Sequence, residues 1–371
     1  MSRSREEFFA PGGPYSGKKV LIIAELGTSH GGDPVKAGEL IAAAGEAGAD
    51  CVKFQMVYAD EILHPATGLV KLPGGDIRLY DRFRELETDP SFYARLKEEA
   101  ERRGLLFLCT PFGPRSARHL GELSPVMVKI ASPELNYTGL LRETAAWKIP
   151  ILLSSGVSRL GDMEEALEIL AEVPSVCLLH CVTAYPAPET DYNLRVIGNL
   201  SAVFGVPVGI SDHSQDEELV PALGTAMGAA VVEKHFCLSR DDPGLDDPIA
   251  LPPGSFSRMV RAVREASGRG TEKTVEKYRR ERGGEIVEKI LGDGIKRLAP
   301  SERANYERTN RSLHALVDIE AGEEIQPGNI GVLRTEKILR PGLPPSWENR
   351  VAGRKARCFI PAGEGIRFED V

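Results

Sequence analysis

Two histidines at the ends of short apolar runs are the first sign of chemistry in this sequence. His213 closes the run 206–213, VPVGISDH, and His235 lies near the end of 230–236, AVVEKHF. Such β-branched runs with polar ends are typical of buried parallel strands. The same two ends also carry Ser211, Asp212 and Glu233. If the strands are neighbours, this set of side chains could hold a divalent ion. The alternative is that each histidine only caps its own strand, but the repeated placement favours a site.

Two lysines in similar runs add positive charge. Lys53 lies in VKFQ and Lys129 in VKIAS. A lysine at a strand end can hold a phosphate or carboxylate as a fixed charge, or it can form a Schiff base if burial lowers its pKa. Hydroxyl groups that suit phosphate oxygens follow other runs, namely Thr110, Ser132, Ser154 and Ser155. We therefore predict a cationic pocket, rich in hydrogen-bond donors, for a small phosphorylated anion.

The runs that carry these residues alternate with amphipathic segments from Lys19 onward. Strands are expected at 20–24, 51–54, 105–109, 126–130, 150–153, 175–180, 206–210 and 230–234. Helices are expected near 34–47, 91–103, 115–122, 138–146, 162–172, 194–203, 217–227 and 254–267. Eight strands, each followed by a helix, predict an α/β protein with a closed (β/α)8 TIM barrel, whose active site lies at the C-terminal strand ends. An open, doubly wound sheet is the alternative.

Two segments interrupt or follow this alternation. The stretch 58–89 is long, contains LPGGD and has a weak helical pattern. A loop of that length over a barrel mouth is usually a lid or a binding element. The stretch 267–300 is rich in charged residues and glycine, which predicts a solvated linker with one or two helices.

The last part of the chain has a different residue pattern. Short strand-like runs are expected at 311–317, 331–334 and 356–360, and turns such as IEAGEEI and IPAGEGI separate them. We therefore expect four parts, which are an N-terminal extension over 1–18, a barrel over 19–270, a linker over 271–308 and a small β-rich domain over 309–371.

The composition of the chain limits the kinds of molecule that it is expected to bind. A chain of 371 residues is long for one core, and its net charge of −8 offers no electrostatic footprint for nucleic acid. No apolar run is long enough to span a membrane. The six cysteines lack CxxC spacing, and most lie in or beside strand-like runs, as buried free thiols do. We expect a cytoplasmic protein whose partners are small molecules or copies of itself.

Taken in order, the motifs resemble those of the N-acylneuraminate (sialic acid) synthases. The matching stretches are IIAELGTSHGG, ADCVKFQ, TPFG, VKIASPELN, ILLSSG, LLHCVTAYPAP, YNLRVI, PVGISDHS and GAAVVEKHFCLSRDDPGLDD. They extend from about Leu21 to Phe256. Beyond them, NRSLHALVDIEAGEEI and AGRKARCFIPAGEGI resemble the family's C-terminal antifreeze-like (SAF, β-clip) domain.

The resemblance implies an activity and a set of site residues. Members condense phosphoenolpyruvate with an N-acetylated amino-sugar aldehyde, such as N-acetylmannosamine, to give a nonulosonic acid and phosphate. The divalent ion, Mn²⁺ or Mg²⁺, would be held by His213 and His235. Phosphoenolpyruvate would contact Lys53, Thr110, Lys129, Ser132, Ser154, Thr183 and Ser211. The amino sugar would contact Glu25, Gln55, Tyr185, Glu233, Asp246 and Arg311, the last from a SAF domain that completes the partner's site in a domain-swapped homodimer.

Departures from the family pattern lie mostly on the sugar side. The family's G-x-N-H-N-G is 27–32, GTSHGG, in this chain, and its P-G-P-D-H is 243–247, PGLDD. The loop 58–89 lacks the family's K-A-x-Y-Q, and Thr183 stands where Asn or Ser is usual. The acceptor is therefore less defined than the phosphoenolpyruvate half. Two other functions stay open, a Schiff-base aldolase that uses Lys53 or Lys129 and a non-catalytic sugar-binding relative.

Overall fold

The structure is a computed structural model that describes residues 13, 19–72, 75–336 and 338–371. The expected N-terminal extension over 1–18 lies outside the described residues except for Gly13. Strands in chain order are β1 (Leu21–Gly27), β2 (Cys51–Met56), β3 (Leu69–Leu72), β4 (Gly75–Arg78), β5 (Leu106–Pro111), β6 (Val128–Ile130), β7 (Ile151–Ser154), β8 (Val176–Cys181), β9 (Val208–Asp212), β10 (Val231–His235), β11 (Arg311–Ala315) and β12 (Ile330–Arg334).

Eight of these strands form one parallel sheet. Neighbours in it follow the order β5, β2, β1, β10, β9, β8, β7, β6, and the two ends of that order, β5 and β6, lie against each other. The sheet therefore closes into a (β/α)8 barrel. This confirms the fold predicted from the sequence, and the open-sheet alternative is wrong.

Helices follow the strands as the amphipathic pattern predicts. They are α1 (Pro34–Glu46), α2 (Ala59–Ile62), α3 (Leu79–Glu85), α4 (Pro90–Arg102), α5 (Pro114–Glu122), α6 (Thr138–Ala145), α7 (Leu160–Ile169), α8 (Val196–Phe204), α9 (Leu219–Ala226), α10 (Pro253–Arg269), α11 (Thr271–Arg282), α12 (Gly284–Leu291) and α13 (Glu348–Val351). Local signals set several ends. The Asp33 carboxylate caps α1 by accepting from the backbone of Val35 and Lys36, with Pro34 at the first position.

Alternation along the strands decides what fills the barrel. One buried cluster inside it consists of Leu21, Ile23, Cys51, Leu108, Met127, Leu152, Cys177, Leu179 and Val231. Continuing by twos from these residues reaches Glu25, Lys53, Thr110, Lys129, Ser154, Cys181 and Glu233. The interior is thus apolar at the bottom and polar at the C-terminal rim, because side chains of one strand face one side at every second residue.

Close packing inside the barrel explains one glycine. A Cβ on Gly209 of β9 would lie 2.7 Å from the Cβ of Val231 and 2.8 Å from a methyl group of Leu179. Both neighbours belong to the interior apolar layer. A larger residue at 209 would push β9 outward, and with it the segment that carries His213.

The long loop after β2 is a small ordered subdomain. It contains α2, the antiparallel hairpin of β3 and β4, and α3. The tip of LPGGD, residues 73 and 74, lies outside the described residues. Apolar side chains of the loop pack on residues that follow β2 and β5, so the loop covers one side of the barrel mouth as expected.

The segment after the barrel is more than a solvated spacer, contrary to the expectation for 267–300. Helices α11 and α12 pack on each other, and α11 packs on α9. Tyr278, Ile290 and Leu291 are almost fully buried. The charged residues cover the outer face of these helices, while the apolar ones at helical spacing attach them to the barrel.

The C-terminal module pairs β11 with β12 in antiparallel fashion. The third expected strand, 356–360, forms only isolated bridges, including Ile319 with Ile360. Ile319 begins the turn IEAGEEI and Ile360 begins the turn IPAGEGI, so these two turns of similar sequence face each other. No described helix is both long and apolar enough to cross a lipid bilayer.

Candidate active site

A cavity of about 670 Å³ opens at the C-terminal ends of the barrel strands. It is lined by every site residue predicted from the sequence except Arg311, Asp212 and Ser155. Asp212 instead pairs with the buried Lys234 at 2.6 Å, and the Ser155 hydroxyl donates to the Leu179 carbonyl at 3.0 Å. The predicted residues that line the cavity are Glu25, Lys53, Gln55, Thr110, Lys129, Ser132, Ser154, Thr183, Tyr185, Ser211, His213, Glu233, His235 and Asp246. Residues from eight different barrel strands or their following loops thus converge on one space.

The floor of the cavity is a charged network around Glu233. One of its carboxylate oxygens lies 2.8 Å from Lys53 Nζ and 3.3 Å from Lys129 Nζ. The Ser211 hydroxyl donates to the same oxygen at 2.8 Å. Lys53 Nζ is also 3.3 Å from a Glu25 oxygen. All these side chains are at most 5% exposed, so their charges interact at short range with little screening by water.

The two lysines differ in their electrostatic surroundings. Burial lowers the pKa of Lys53, but the carboxylates of Glu233 and Glu25 outweigh it and raise that pKa above the usual range. Burial lowers the pKa of Lys129, and Glu233 compensates only in part. For Glu233, burial raises the pKa, but Lys129 and Lys53 bring it far below the usual range. Lys53 is thus a permanent cation beside a permanent anion.

Glu25 is poised to exchange a proton near neutral pH. Burial raises its pKa to about 7, against the opposing effect of Lys53. The Gln55 side-chain amide donates to a Glu25 oxygen at 2.6 Å. Both residues follow the inward alternation of β1 and β2, so the pair lies at one side of the cavity floor.

Several buried polar atoms at this floor lack a hydrogen-bond partner among the described residues. They are Thr110 Oγ1, Ser154 Oγ and one oxygen of Glu233. Buried polar groups are normally paired, since leaving one unpaired costs about 1–3 kcal/mol. Two unpaired hydroxyls beside Lys53 and Lys129 are what an anion with several oxygens would satisfy.

Gly156 allows the loop after β7 to approach the neighbouring strand end. A Cβ there would lie 2.1 Å from Thr183 Oγ1 and 2.9 Å from Ser132 Oγ. The Gly156 N–H donates to Ser132 Oγ at 3.0 Å. The backbone at Gly156 therefore lies close to two hydroxyl-bearing residues, Ser132 and Thr183.

The histidines fit a divalent ion. Their ring centroids are 5.4 Å apart, and His213 Nδ1 is 2.9 Å from the Val182 carbonyl oxygen, which leaves its Nε2 facing away from that bond. Burial lowers the pKa of His235 well below the usual range, which favours the neutral, ligating form. Burial lowers the pKa of His213, but its interaction with Cys181 outweighs burial and raises that pKa, so an ion would have to displace a proton from this imidazole and would bind more weakly as the pH falls.

Only two protein ligands are proposed for that ion. Among the described residues, no group of three or more His, Cys, Asp or Glu side chains is arranged to hold a metal. Substrate or water would have to complete the coordination, as at catalytic sites that keep open positions.

Two departures from the family pattern, Ser29 and Asp247, are buried and do not line the cavity themselves. The Ser29 hydroxyl donates to the Asp247 carboxylate, and Asp247 also accepts from the Gly244 N–H at 2.9 Å. Two substituted positions 218 residues apart are therefore in direct contact. Asp246, next in the chain, has a carboxylate oxygen 3.7 Å from His235 Nδ1, and burial raises its pKa to about 6.

Arg311 does not line the cavity, contrary to the expectation from the resemblance. It is 1% exposed, and its guanidinium lies 3.0 Å from the Glu134 carboxylate and donates to the Phe112 carbonyl at 2.6 Å. It pairs across the β11–β12 ribbon with Arg334, which reaches the cavity and binds the same carboxylate at 2.7 Å. Arg311 is thus turned under the rim, where it attaches the SAF domain to the barrel of the same chain.

Glu302, in the segment before the SAF domain, is a residue that sequence reasoning missed. Its carboxylate accepts from the backbone N–H of Val157 at 3.0 Å, of Thr183 at 2.9 Å and of Ala299 at 3.1 Å. The Asn310 amide donates to the Val157 carbonyl at 3.1 Å. Val157 has φ +43°, a strained conformation for a β-branched residue, which these bonds help to hold.

No local signal identifies Glu302 or Arg334 as site residues. Glu302 follows a charged stretch, and its partners lie 119 and 145 residues away. Arg334 closes a short strand that resembles any exposed ribbon. Only the contact between the two domains reveals both.

Comparisons with known proteins identify the family of this chain. The chain matches the NeuB family over residues 40–274 and the SAF domain over residues 310–371. It is 34% identical to N,N'-diacetyllegionaminic acid synthase of Campylobacter jejuni, covering 85% of this chain and 91% of that protein. It is 31% identical to N-acetylneuraminate-9-phosphate synthase of Mus musculus, covering 97% and 95%.

A solved structure supports the same conclusion. The spore coat polysaccharide biosynthesis protein SpsE of Bacillus subtilis superposes with a TM-score of 0.78 at 32% identity, covering 95% of each chain. The matched region contains both the barrel with its charged floor and the C-terminal module. This chain belongs to the NeuB family of sialic acid synthases and carries a C-terminal SAF domain.

Proposed function

We propose that this protein condenses phosphoenolpyruvate with the open-chain aldehyde of an N-acetylated amino sugar, giving a nonulosonic acid and inorganic phosphate. The observation that carries the proposal is the cavity floor, where Lys53 and Lys129 line the same space as the buried, unpaired hydroxyls of Thr110 and Ser154. Phosphoenolpyruvate carries a phosphate and a carboxylate, and both require cations and hydrogen-bond donors when they are removed from water.

The chemistry needs one carbon–carbon bond and one hydrolysis. The enol carbon attacks the aldehyde carbon, and the aldehyde oxygen takes a proton to become a hydroxyl. Water adds to the cationic carbon that results, and the tetrahedral intermediate expels phosphate to leave a 2-keto acid. Lys53 and Lys129 neutralise the anion throughout. The Glu25 carboxyl, with its pKa of about 7, can donate the proton to the new hydroxyl.

His213 and His235 would hold Mn²⁺ or Mg²⁺. When bound, such an ion polarises the aldehyde oxygen as a Lewis acid. Glu233 lies on β10 two residues before His235, and its second oxygen has no partner among the described side chains, so it can orient the aldehyde or the attacking water. The protein's own contribution is therefore to align the two reactants and to balance charge.

The direct test is phosphate release. Purified protein with phosphoenolpyruvate, manganese and a panel of amino sugars should release phosphate stoichiometrically with a new acid of the expected mass. Binding of sugar with no phosphate released from any acceptor would instead favour the non-catalytic relative.

Metal dependence has its own test. We expect EDTA to abolish phosphate release, manganese to restore it, and His213→Ala or His235→Ala to lose it, while the thermal stability of both variants stays near that of the parent. Full activity in the chelated protein would contradict the assignment of the ion.

A Schiff-base aldolase remains a second candidate because the lowered pKa of Lys129 is the feature that imine chemistry requires. In such an enzyme, borohydride would trap a covalent adduct on Lys129, and metal chelators would not inhibit the reaction. The raised pKa of Lys53 argues against that role for Lys53.

We further propose that the enzyme is a cytoplasmic homodimer with exchanged SAF domains, in which the contacts that Arg311 and Arg334 make with the chain's own barrel at Glu134 would be made with the partner's barrel instead. Five of the six free thiols are buried, which suits a reducing compartment. Arg334→Ala and Lys53→Ala should each be nearly inactive. Mixed and reassembled, they should regain activity, because one site per heterodimer has both residues. If verified heterodimers stay inactive, each SAF domain serves its own barrel.

A further inference from the structure

We infer that the buried ion pair of Lys234 and Asp212 positions the two histidines of the proposed metal site and thereby sets how tightly they hold a divalent ion. Neither residue is among the described residues that line the cavity. The inference rests on the proposed assignment of the ion to His213 and His235, and it concerns the side chains behind those ligands.

The ion pair lies on the outer face of the barrel, directly behind the histidines. Asp212 ends β9 and precedes His213, and Lys234 precedes His235 on β10. Because side chains alternate along a strand, the histidines face the cavity while the ion pair faces the layer between sheet and helices. The last register pair of β9 with β10 is Asp212 with Lys234. The ion pair therefore closes the ladder at the point where the two ligands begin.

Both charges of this pair are removed from water. The Lys234 side chain is 1% exposed and the Asp212 side chain 0%, and their charged atoms are 2.6 Å apart. Two residues earlier on the same face of the strands, Ile210 and Val232 belong to the apolar core. The attraction within a buried ion pair often does no more than offset the cost of desolvating it, so stability alone is a weak reason for its presence. The contacts around the ammonium group indicate a second role.

The Lys234 ammonium group holds the turn that follows His213. It donates to the Ser214 carbonyl at 2.6 Å, to the Ser214 hydroxyl at 3.2 Å and to the Asp216 carbonyl at 3.4 Å. The other oxygen of the Asp212 carboxylate accepts from the Ser214 N–H at 2.8 Å. The turn is therefore closed around one ammonium group that belongs to the neighbouring strand β10.

The hydrogen bonds of His213 itself run toward the other neighbouring strand. Its backbone N–H donates to the Tyr192 hydroxyl at 2.7 Å, its carbonyl accepts from the Ala187 N–H at 3.0 Å, and its ring Nδ1 is 2.9 Å from the Val182 carbonyl oxygen. All three partners lie in the segment after β8. They fix the first ligand relative to β8, whereas Lys234 fixes the turn after it relative to β10, which carries the second ligand.

Positioning matters at this site because only two protein side chains are proposed as ligands. The ring centroids of His213 and His235 are 5.4 Å apart. An ion gains full affinity from two imidazoles only when both are already oriented toward it, since ordering them on binding consumes part of the binding free energy. Residues that orient metal ligands from behind typically change metal affinity or activity by about 10-fold to 100-fold when they are replaced.

The test measures Mn²⁺ affinity directly, from the signal of free Mn²⁺ in electron paramagnetic resonance, with no substrate present. The variant combines Lys234→Met with Asp212→Asn, which removes both charges together and so leaves neither one buried without its partner. We expect its Kd for Mn²⁺ to rise by at least about 10-fold, with a melting temperature close to that of the parent. At saturating Mn²⁺, kcat and the KM for phosphoenolpyruvate should return close to the parent values, because the floor lysines are unchanged.

An ion pair at the opposite end of the barrel provides the control. The Arg264 guanidinium lies 2.5 Å from the Asp50 carboxylate, and both side chains are at least partly buried. Asp50 directly precedes β2 and so lies at the N-terminal end of the strands, away from the histidines. Arg264→Met combined with Asp50→Asn removes a second barrel ion pair by the same kind of substitution. This control should bind Mn²⁺ as the parent does.

The outcomes separate this inference from the assignment of the ion. If the parent binds Mn²⁺, His213→Ala loses it and the Lys234 double variant keeps the parent affinity, the inference is wrong while the metal site stands. An equal loss of affinity in the control would also contradict it, because the effect would then follow from removing any barrel ion pair. A parent that binds no Mn²⁺ would refute the metal site and this inference together.

A milder variant covers the case in which the double variant does not fold. Asp212→Asn alone keeps the shape of the side chain and leaves Lys234 its two carbonyl partners. It should still bind Mn²⁺ more weakly than the parent, because the carboxylate that holds the ammonium group in place is lost. Unchanged Mn²⁺ affinity in a folded Asp212→Asn protein would overturn the inference.

Discussion

The floor and the upper side of the cavity are built in different ways. Each side chain of the floor, such as Lys53, Lys129 or Glu233, belongs to a barrel strand and lies in a register imposed by its neighbours. The upper side comes from the loop 58–89, the segment 242–249 and the SAF domain. In the resemblance described above, the departures lie mostly on the upper side, and Thr183 is the exception among the residues expected to contact phosphoenolpyruvate.

This difference separates two tasks. Strand-borne residues hold the common substrate, because parallel strands position side chains to within a fraction of an ångström and change register only by whole residues. Loop-borne residues can change with the acceptor without disturbing the barrel. Ser29 and Asp247, which both depart from the family pattern, are in direct contact with each other.

The largest effect should come from the floor lysines. Lys53→Ala or Lys129→Ala should lower kcat/KM by about 1000-fold, since a fixed charge on the developing transition state is lost. It also leaves Glu233 with one buried cation fewer, which lowers stability. Arginine at either position should recover part of the activity because the charge is kept. Equal loss in the arginine and alanine variants, with a borohydride-trapped adduct, would show that the floor works covalently.

Glu302 tests whether the domain contact supports the floor. Glu302→Gln should raise the KM for phosphoenolpyruvate by about 10-fold. A neutral amide oxygen accepts weaker hydrogen bonds from the N–H groups of Val157 and Thr183 than the carboxylate does, and the total loss corresponds to about one charge-assisted hydrogen bond. The KM for the sugar should change less. Glu307→Gln, on an exposed glutamate of the same segment, is the control and should match the parent. A uniform loss of kcat with an unchanged KM in Glu302→Gln would instead indicate a structural role.

The Ser29–Asp247 contact tests whether the upper side is tuned separately. Ser29→Ala and Asp247→Asn should each raise the acceptor KM by about 3-fold to 10-fold. A double-mutant cycle should give a coupling energy of about 1 kcal/mol, as expected for residues in direct contact. The KM for phosphoenolpyruvate is the internal reference and should stay constant. Additive effects would mean that the two substitutions are independent.

His30 should affect stability and leave turnover at neutral pH unchanged. Burial lowers its pKa to about 4, and the ring lies between Phe54 and Phe92. The unfolded chain then binds more protons between pH 6.5 and about 4, so stability is lost as the pH falls through that window. At pH 5.5 the loss from this residue is about 1 kcal/mol. Thermal melts of His30→Asn should show a weaker dependence on pH in that range, and an identical dependence would contradict this account.

The barrel and the floor of its cavity could be predicted from the sequence because both depend on short periodic patterns along the strands. Alternation by two places Cys51, Lys53 and Gln55 on one face, and eight repeats of strand and helix require closure of the sheet. Lys129, Ser154 and His213 could be assigned to one rim for the same reason. These features are local, and each follows from a strand that ends in a polar residue.

Contacts between distant segments had to come from the tertiary structure. The family resemblance implied that Arg311 belongs to the site, but the structure places its side chain on Glu134, and Arg334, its neighbour across the β11–β12 ribbon, lines the cavity instead. The carboxylate of Glu302 reaches two loops more than 100 residues away. Val57 and Phe112, which follow different barrel strands, pack in one apolar cluster with Ile77 of the loop hairpin. Such contacts leave no periodic trace along the chain, because they depend on how the loop and the SAF domain pack on the barrel and not on the conformation of any one segment.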